Sequence, residues 1–306
     1  MPTRELPTPY DGSSKPFAIG LKALDLDNWI EVDGELRELL DEKERLIAAV
    51  PDAVFAAEPG TEAAQAELLT LLASHLLHRH PQIYRRDGDT VTIDGAGRVP
   101  LAGGASPLLT AAHLVADDLL LMRRASDGWR LAAASLCFPS SWTLAEKFGR
   151  PLHEIHAPVP GFGAGTRNAE LITRIFDNLK PDQPVIRWNW SLQADMALYK
   201  PMSGHHRDER ATARQPRFPD GAAGTFIRVE RQTLRRLAGS GDIVFTIRIF
   251  LDPMAALATQ PERWQLALSL AAQLDELDGS QLDYKGLAAD RDRLSADLRS
   301  MAADRG

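Results

Sequence analysis

His153 and His156 stand three residues apart in LHEIHAPVPG, residues 152–161. Imidazoles at that spacing are the chain's most direct offer of chemistry. In a helix the two rings would share a face; in an extended chain their Cα atoms would stand roughly 10 Å apart. Pro151 and Pro158 bracket the pair, so any helix between them is one or two turns long. The residues alone leave three readings open. Both rings could share one small ion, which needs further ligands that the sequence does not nominate. One ring could hold a haem iron, which takes a single imidazole from the protein and leaves the opposite face open. Or both are polar residues of a turn.

Other residues with chemical potential read more blandly. His75, His78 and His80 close a helix, where the dipole favours them, and lack the Glu of a His-Glu-x-x-His site. Asp117 and Asp118, adjacent on a helix, would point about 100° apart and read as a solvated edge, not a catalytic pair. Cys137 is the only cysteine, which rules out an internal disulfide framework, a cysteine-held iron-sulfur cluster and a zinc knuckle. It reads as a small buried residue. GFGAG at 161–165 has neither the dinucleotide-binding spacing nor a preceding strand, and reads as a loop. No G-x-S-x-G elbow or P-loop occurs.

The elements that must position these residues follow from periodicity. Residues 1–16 carry four prolines and should run extended over the surface. Residues 34–50 and 61–80 have helical spacing and stop at Pro51 and Pro81. TVTID is a short strand before a glycine-rich loop, and Leu108 to Arg124 reads as a third helix. SDGWRLAAASLCFP is a turn followed by a strand. TLAEKFG has capping-box spacing, Thr143 with Glu146, closed by Gly149. NAELITRIFDNLK is a helix, and the strands VIRWNWSL, TFIRVERQ and DIVFTIRIFL follow. The polar stretch from Pro201 to Gly224 is too long for a hairpin and reads as mobile. TLRRLAGSG supplies a turn of helix and a glycine turn. Consecutive strands pair antiparallel, and the chain from 254 onward is helical. The fold class is α+β.

A chain of 306 residues, 44% hydrophobic and 25% charged, can bury a full core. A net charge of −7 argues against nucleic acid or an anionic membrane as a general partner. The N-terminus lacks the apolar run of a signal peptide, and no stretch approaches the ~20 apolar residues of a membrane span. The reading is a soluble, reduced, cytoplasmic protein.

KPFAIGL, Trp29, LCFPSSWTLAEKFGRPLHEIHAPVPG, IRWNW, RVERQTLRRL, FTIRIF and YKGL succeed one another from about residue 16 to about 287. This run resembles the α subunit of haem-dependent oxidative N-demethylase, also called dimethylamine monooxygenase. The blocks around Pro139, His156, Asn189 and Glu230 carry the resemblance most specifically. It implies one haem-binding domain over 17–306: a PAS-like antiparallel sheet with inserted helices, core about 85–252, with helical N- and C-terminal extensions. It implies haem b with its iron, and O2 and a small secondary amine such as dimethylamine as substrates. A primary amine and formaldehyde would be the products. Electrons would come from separate flavin and iron-sulfur modules, as reductase or ferredoxin partner subunits.

In PAS haem sensors the axial histidine lies between the second strand and the last three antiparallel strands, and here that segment holds only His153 and His156. The resemblance favours His156, in the IHAPVP block, as iron ligand, with His153 in reserve. Arg187, Arg228 and Glu230 are the expected catalytic residues. The arginines would donate to oxygen as it gains charge, and Glu230 would hold an ammonium or relay a proton. Trp190 and Asn189 are expected at the cofactor. The plainer reading of alternating Arg and Glu is a surface ion-pair row. A non-catalytic haem-binding gas or redox sensor is the alternative function for such a fold. The cation-rich segment GHHRDERATARQPRFPDG is expected either to steer an acidic redox partner or to be a bare solvated loop.

Overall fold

The computed structural model describes residues 6–104 and 106–303. Ten strands are present among them: β1 Lys22–Ala23, β2 Phe55–Ala57, β3 Tyr84–Asp87, β4 Thr90–Ile93, β5 Gly97–Pro100, β6 Asp118–Ala125, β7 Gly128–Ser135, β8 Val185–Gln193, β9 Phe226–Arg236 and β10 Ile243–Pro253. Seven form one sheet in the order β1-β8-β9-β10-β6-β7-β2, and β3-β4-β5 form a small second sheet. Every pairing is antiparallel, so with helices before, between and after the strands the chain is α+β. No helix among the described residues is long and apolar enough to cross a membrane.

The long central strands fix the layout. Side chains alternate between sheet faces with a period of two, and Asn189 stands opposite Glu230 while Arg231 stands opposite Arg248. One face, called the front here, therefore carries Arg187, Asn189, Glu230, Gln232, Phe245 and Ile247. The back carries Trp188, Trp190, Arg231, Thr233, Thr246 and Arg248. The segment between β7 and β8 covers the front, with the helix Arg167–Asn178 in it. Residues 29–36 and the helices Leu36–Ala49 and Glu62–Arg79 contribute Trp29, Ile30, Leu36, Leu68 and Leu72 to the larger core. The helices Arg263–Asp275 and Arg291–Ala303 close a second core around Tyr10, Trp190, Phe250 and Met254.

Several sequence expectations are corrected. The predicted helix from Leu108 to Arg124 is a helix only over Pro107–Ala112, and Asp118–Ala125 is strand β6. Leu119 to Met122 is buried on both faces, which erases the alternation that distinguishes strand from helix. Asp117 and Asp118 are accordingly buried, not a solvated edge. Thr143 makes no side-chain cap; Glu146 instead accepts from the Gly204 amide at 2.7 Å. The stretch expected to be mobile contains the helix Gly204–Ala213. TLRRLAGSG holds no turn of helix, because β9 continues to Arg236 and Leu237 N donates to Asp242 O across a tight turn. Strands β1 and β2, from before residue 85, join the edges of the main sheet. Of residues 1–16, 1–5 lie outside the described residues; the remainder runs over the surface in turns and bends, not extended, and buries Tyr10.

Candidate functional site

The front face of the sheet is the floor of a cavity of about 260 Å³. Residues 17–21, the segment from Leu136 to Phe162, the helix Arg167–Asn178 and the end of the helix Gly279–Lys285 complete it. Most of the wall is apolar, including Met122, Leu131, Phe162, Phe176 and Phe245. Its polar groups are Ser140, Lys147, His156, Arg187, Asn189, Glu230, Gln232, Tyr284 and Lys285.

The two histidines of the opening motif separate here. Pro151 starts a single helical turn, Leu152–Ile155, which ends as His156 N donates to Leu152 O at 2.9 Å. His153 lies within that turn and is exposed. His156 is the C-cap, where the chain leaves the helix, and its ring reaches the cavity beside Phe162, with ring centroids 6.4 Å apart. Burial, with the positive charges of Lys147 and Arg187, pushes its pKa down to about 4. The imidazole is therefore neutral at pH 7 and has a lone pair to offer.

Facing it, Glu230 Oε2 accepts from Gln232 Nε2 at 2.8 Å and from Asn189 Nδ2 at 3.3 Å. Arg228 does not line the cavity. It is fully buried beneath Glu230, with Nε 3.7 Å from Oε1, and donates to the carbonyls of Phe138 and Leu198. Its guanidinium therefore meets the cavity only through Glu230. Trp190, expected at the cofactor, points to the back face, where its indole donates to Gln273 at 2.9 Å. It meets the site indirectly, under the Lys285 ammonium. Arg187 does reach the cavity, and its Nε is buried without a hydrogen-bond partner.

Lys147, Gln232, Tyr284 and Lys285 were missed from sequence. Gln232 was accessible from spacing, two residues from Glu230 on one strand face. The others sit inside the TLAEKFG and YKGL blocks, but only the tertiary fold brings them to the wall. Burial lowers the pKa of Lys147 and of Lys285 to about 8.

The basic segment after Pro201 has a structural use. Arg210 donates to Tyr284 O at 3.0 Å and Arg217 to Lys285 O at 3.1 Å, satisfying carbonyls at the end of the helix that brings Tyr284 and Lys285 to the cavity. Arg214 pairs with Asp283 at 2.6 Å, and Arg207 donates to Ser141 O at 2.6 Å. These arginines anchor the wall and are not those of a bare solvated loop.

No group of three or more His, Cys, Asp or Glu among the described residues is arranged to hold an ion. His75 and His80 are half-buried, and burial lowers both pKa values, to about 4 for His75, outweighing the helix dipole. The Cys137 thiol is pushed up to about 12 by burial and by Asp118, which leaves it protonated at pH 7.

A family model described as haem-dependent oxidative N-demethylase, alpha subunit-like, matches residues 20–295. The chain belongs to this family. The haem that the family name implies fits the residues present. The cavity combines a largely apolar wall, one neutral imidazole and cationic donors, among them Arg187 with an orphaned Nε. A porphyrin calls for these three features: apolar surface for the macrocycle, one axial nitrogen, and donors for its acidic edge.

Proposed function

We propose that this chain binds haem b through His156 and catalyses oxidative N-demethylation of a small secondary amine, dimethylamine or a near relative. O2, two electrons and two protons would yield the primary amine, formaldehyde and water. The electrons would come from separate flavin and iron-sulfur modules on partner subunits. The observation that carries this reading is the enclosure of His156 and Glu230 in one apolar cavity within a chain of this family.

Bound haem would supply the reduction and activation of O2. The protein's own groups have distinct tasks. His156 would hold the haem iron through its neutral imidazole. Glu230 faces the cavity as its single wall carboxylate, aimed by Asn189 and Gln232, and is suited to hold the amine or to relay its proton. Arg187 brings a fixed positive charge to a site with little water to screen it, where such a charge acts most strongly. Arg228 acts through Glu230. The apolar wall keeps bulk water away from the reacting amine.

Haem-loaded protein, a chemical or enzymatic electron donor, O2 and dimethylamine should release formaldehyde in proportion to amine consumed. Reduction and autoxidation without formaldehyde, across a panel of small secondary amines, would assign the chain to haem-based sensing instead.

A further inference from the structure

The cavity wall holds more positive charge than the chain itself neutralises. Lys147, Arg187 and Lys285 come from three different elements: the helix Leu144–Lys147, β8, and the helix Gly279–Lys285. Glu230 is the one carboxylate in that wall, and it is already engaged by Asn189, Gln232 and the buried Arg228. Among the described residues none of the three cations forms an ion pair. The Lys147 ammonium sits 4.0 Å from the centre of the Trp142 ring, a weaker partner than a carboxylate. The Lys285 ammonium donates to Trp190 O at 2.7 Å and lies 5.2 Å from the centre of the Phe17 ring. Arg187 Nε has no acceptor.

Charges removed from water are costly unless they are paired, and proteins seldom leave several uncompensated around one cavity. An anion arriving from outside resolves the imbalance. Most of the wall around the cations is apolar, so the anion that fits carries its charge on a large hydrophobic body. Three cations could accommodate two carboxylates with one guanidinium left to serve the reacting centre.

We propose that Lys147 and Lys285 are the carboxylate clamp of the cavity and receive the two propionates of the porphyrin. The clamp rests on the haem reading above. It adds which residues select the cofactor's acidic edge, and it makes that selection independent of the iron and of His156.

The test titrates the full chain with protoporphyrin IX and with its dimethyl ester, metal-free and as the iron complexes, followed by fluorescence quenching and Soret absorption. The diacid should bind at least ~10-fold more tightly than the diester, with or without iron. Lys147→Gln and Lys285→Gln should each shrink that ratio, and the double variant should bring it close to one. Far-UV circular dichroism and the melting temperature of the unloaded variants report folding; each should keep the wild-type spectrum and a cooperative transition, with Lys285→Gln losing at most its hydrogen bond to Trp190 O and its ring contacts. Equal affinity of the wild type for diacid and diester overturns the clamp while leaving the haem reading intact. So does a diacid preference unchanged in the folded double variant. Failure of every porphyrin to bind removes the clamp and the haem reading together.

Discussion

The two faces of strands β8–β10 treat buried charge in opposite ways. On the back, Arg248 meets Asp33 at 2.8 Å and Glu35 at 3.1 Å. Arg231 lies 3.4 Å from Glu31 and donates to the carbonyls of Asn28 and Trp29. Lys43, fully buried nearby, donates to Val115 O and Asp117 O at 2.9 and 2.6 Å. Thr233 and Thr246 share a 2.8 Å hydrogen bond across the strands. On the front, Arg187, Lys147 and Lys285 have no carboxylate of their own. The two faces belong to the same strands, and neighbouring residues serve opposite sides. The difference teaches how to sort these cations: arginines paired with carboxylates hold the fold together, and cations without an ion pair around a cavity are placed to meet a ligand.

The comparison breaks first if the back face proves dispensable. Asp33→Asn strips Arg248 of its more buried carboxylate, leaving Glu35, and should cost roughly 1.5–3 kcal/mol in denaturant unfolding. Lys147→Gln in the unloaded protein should cost no more than the loss of its contact with the Trp142 ring, about 1 kcal/mol. Equal losses in the two variants would erase the distinction. Next in size is an effect on turnover: Glu230→Gln should lower formaldehyde release roughly 10²-fold while haem stays bound. Unchanged release would remove Glu230 from the chemistry and leave it a structural group.

A smaller effect follows from the histidines. His75 and His156 have pKa values near 4 when folded, against an ordinary value of 6.5. Between those limits the unfolded chain binds more protons than the folded one, so stability falls as pH drops from about 6.5 to about 4. Replacing His156 with Ala should flatten part of that decline in a pH series of unfolding curves; an unchanged slope would mean its ring is solvated. Smallest is the contribution of the anchoring arginines. Arg210→Gln with Arg217→Gln should lower stability by about 1 kcal/mol and slow haem reduction by dithionite and by a partner protein alike. Slowing with the partner alone would restore the steering role expected from sequence.

How much of this was legible in the sequence depended on whether a signal was local. Strands β8, β9 and β10 were readable because each alternates, and alternation placed Trp188 and Trp190 opposite Asn189. The same rule assigned Asn189 and Glu230 to a common face only once the register was known, since a slip of one residue would have reversed them. Strand β6 was misread because Leu119–Met122 is covered on both sides. The helix Gly204–Ala213 was missed because its polar residues carry no apolar stripe, and its stability comes from Glu146 at its first turn and from the arginines gripping the helix Gly279–Lys285. Lys147 and Lys285, 138 positions apart in the sequence, could not be paired by any spacing rule. The split between His153 and His156 was equally hidden, because it depends on the helix ending at Ile155.

The central claim is that the front cavity seats haem on His156. Soret and pyridine-haemochrome spectra of the haem-titrated wild type, His156→Ala and His153→Ala proteins test it most directly. The wild type should take up one haem per chain with a histidine-ligated spectrum, His153→Ala should match it, and His156→Ala should lose occupancy or shift the Soret band. Full ligation in His156→Ala, with loss in His153→Ala, would contradict the assignment.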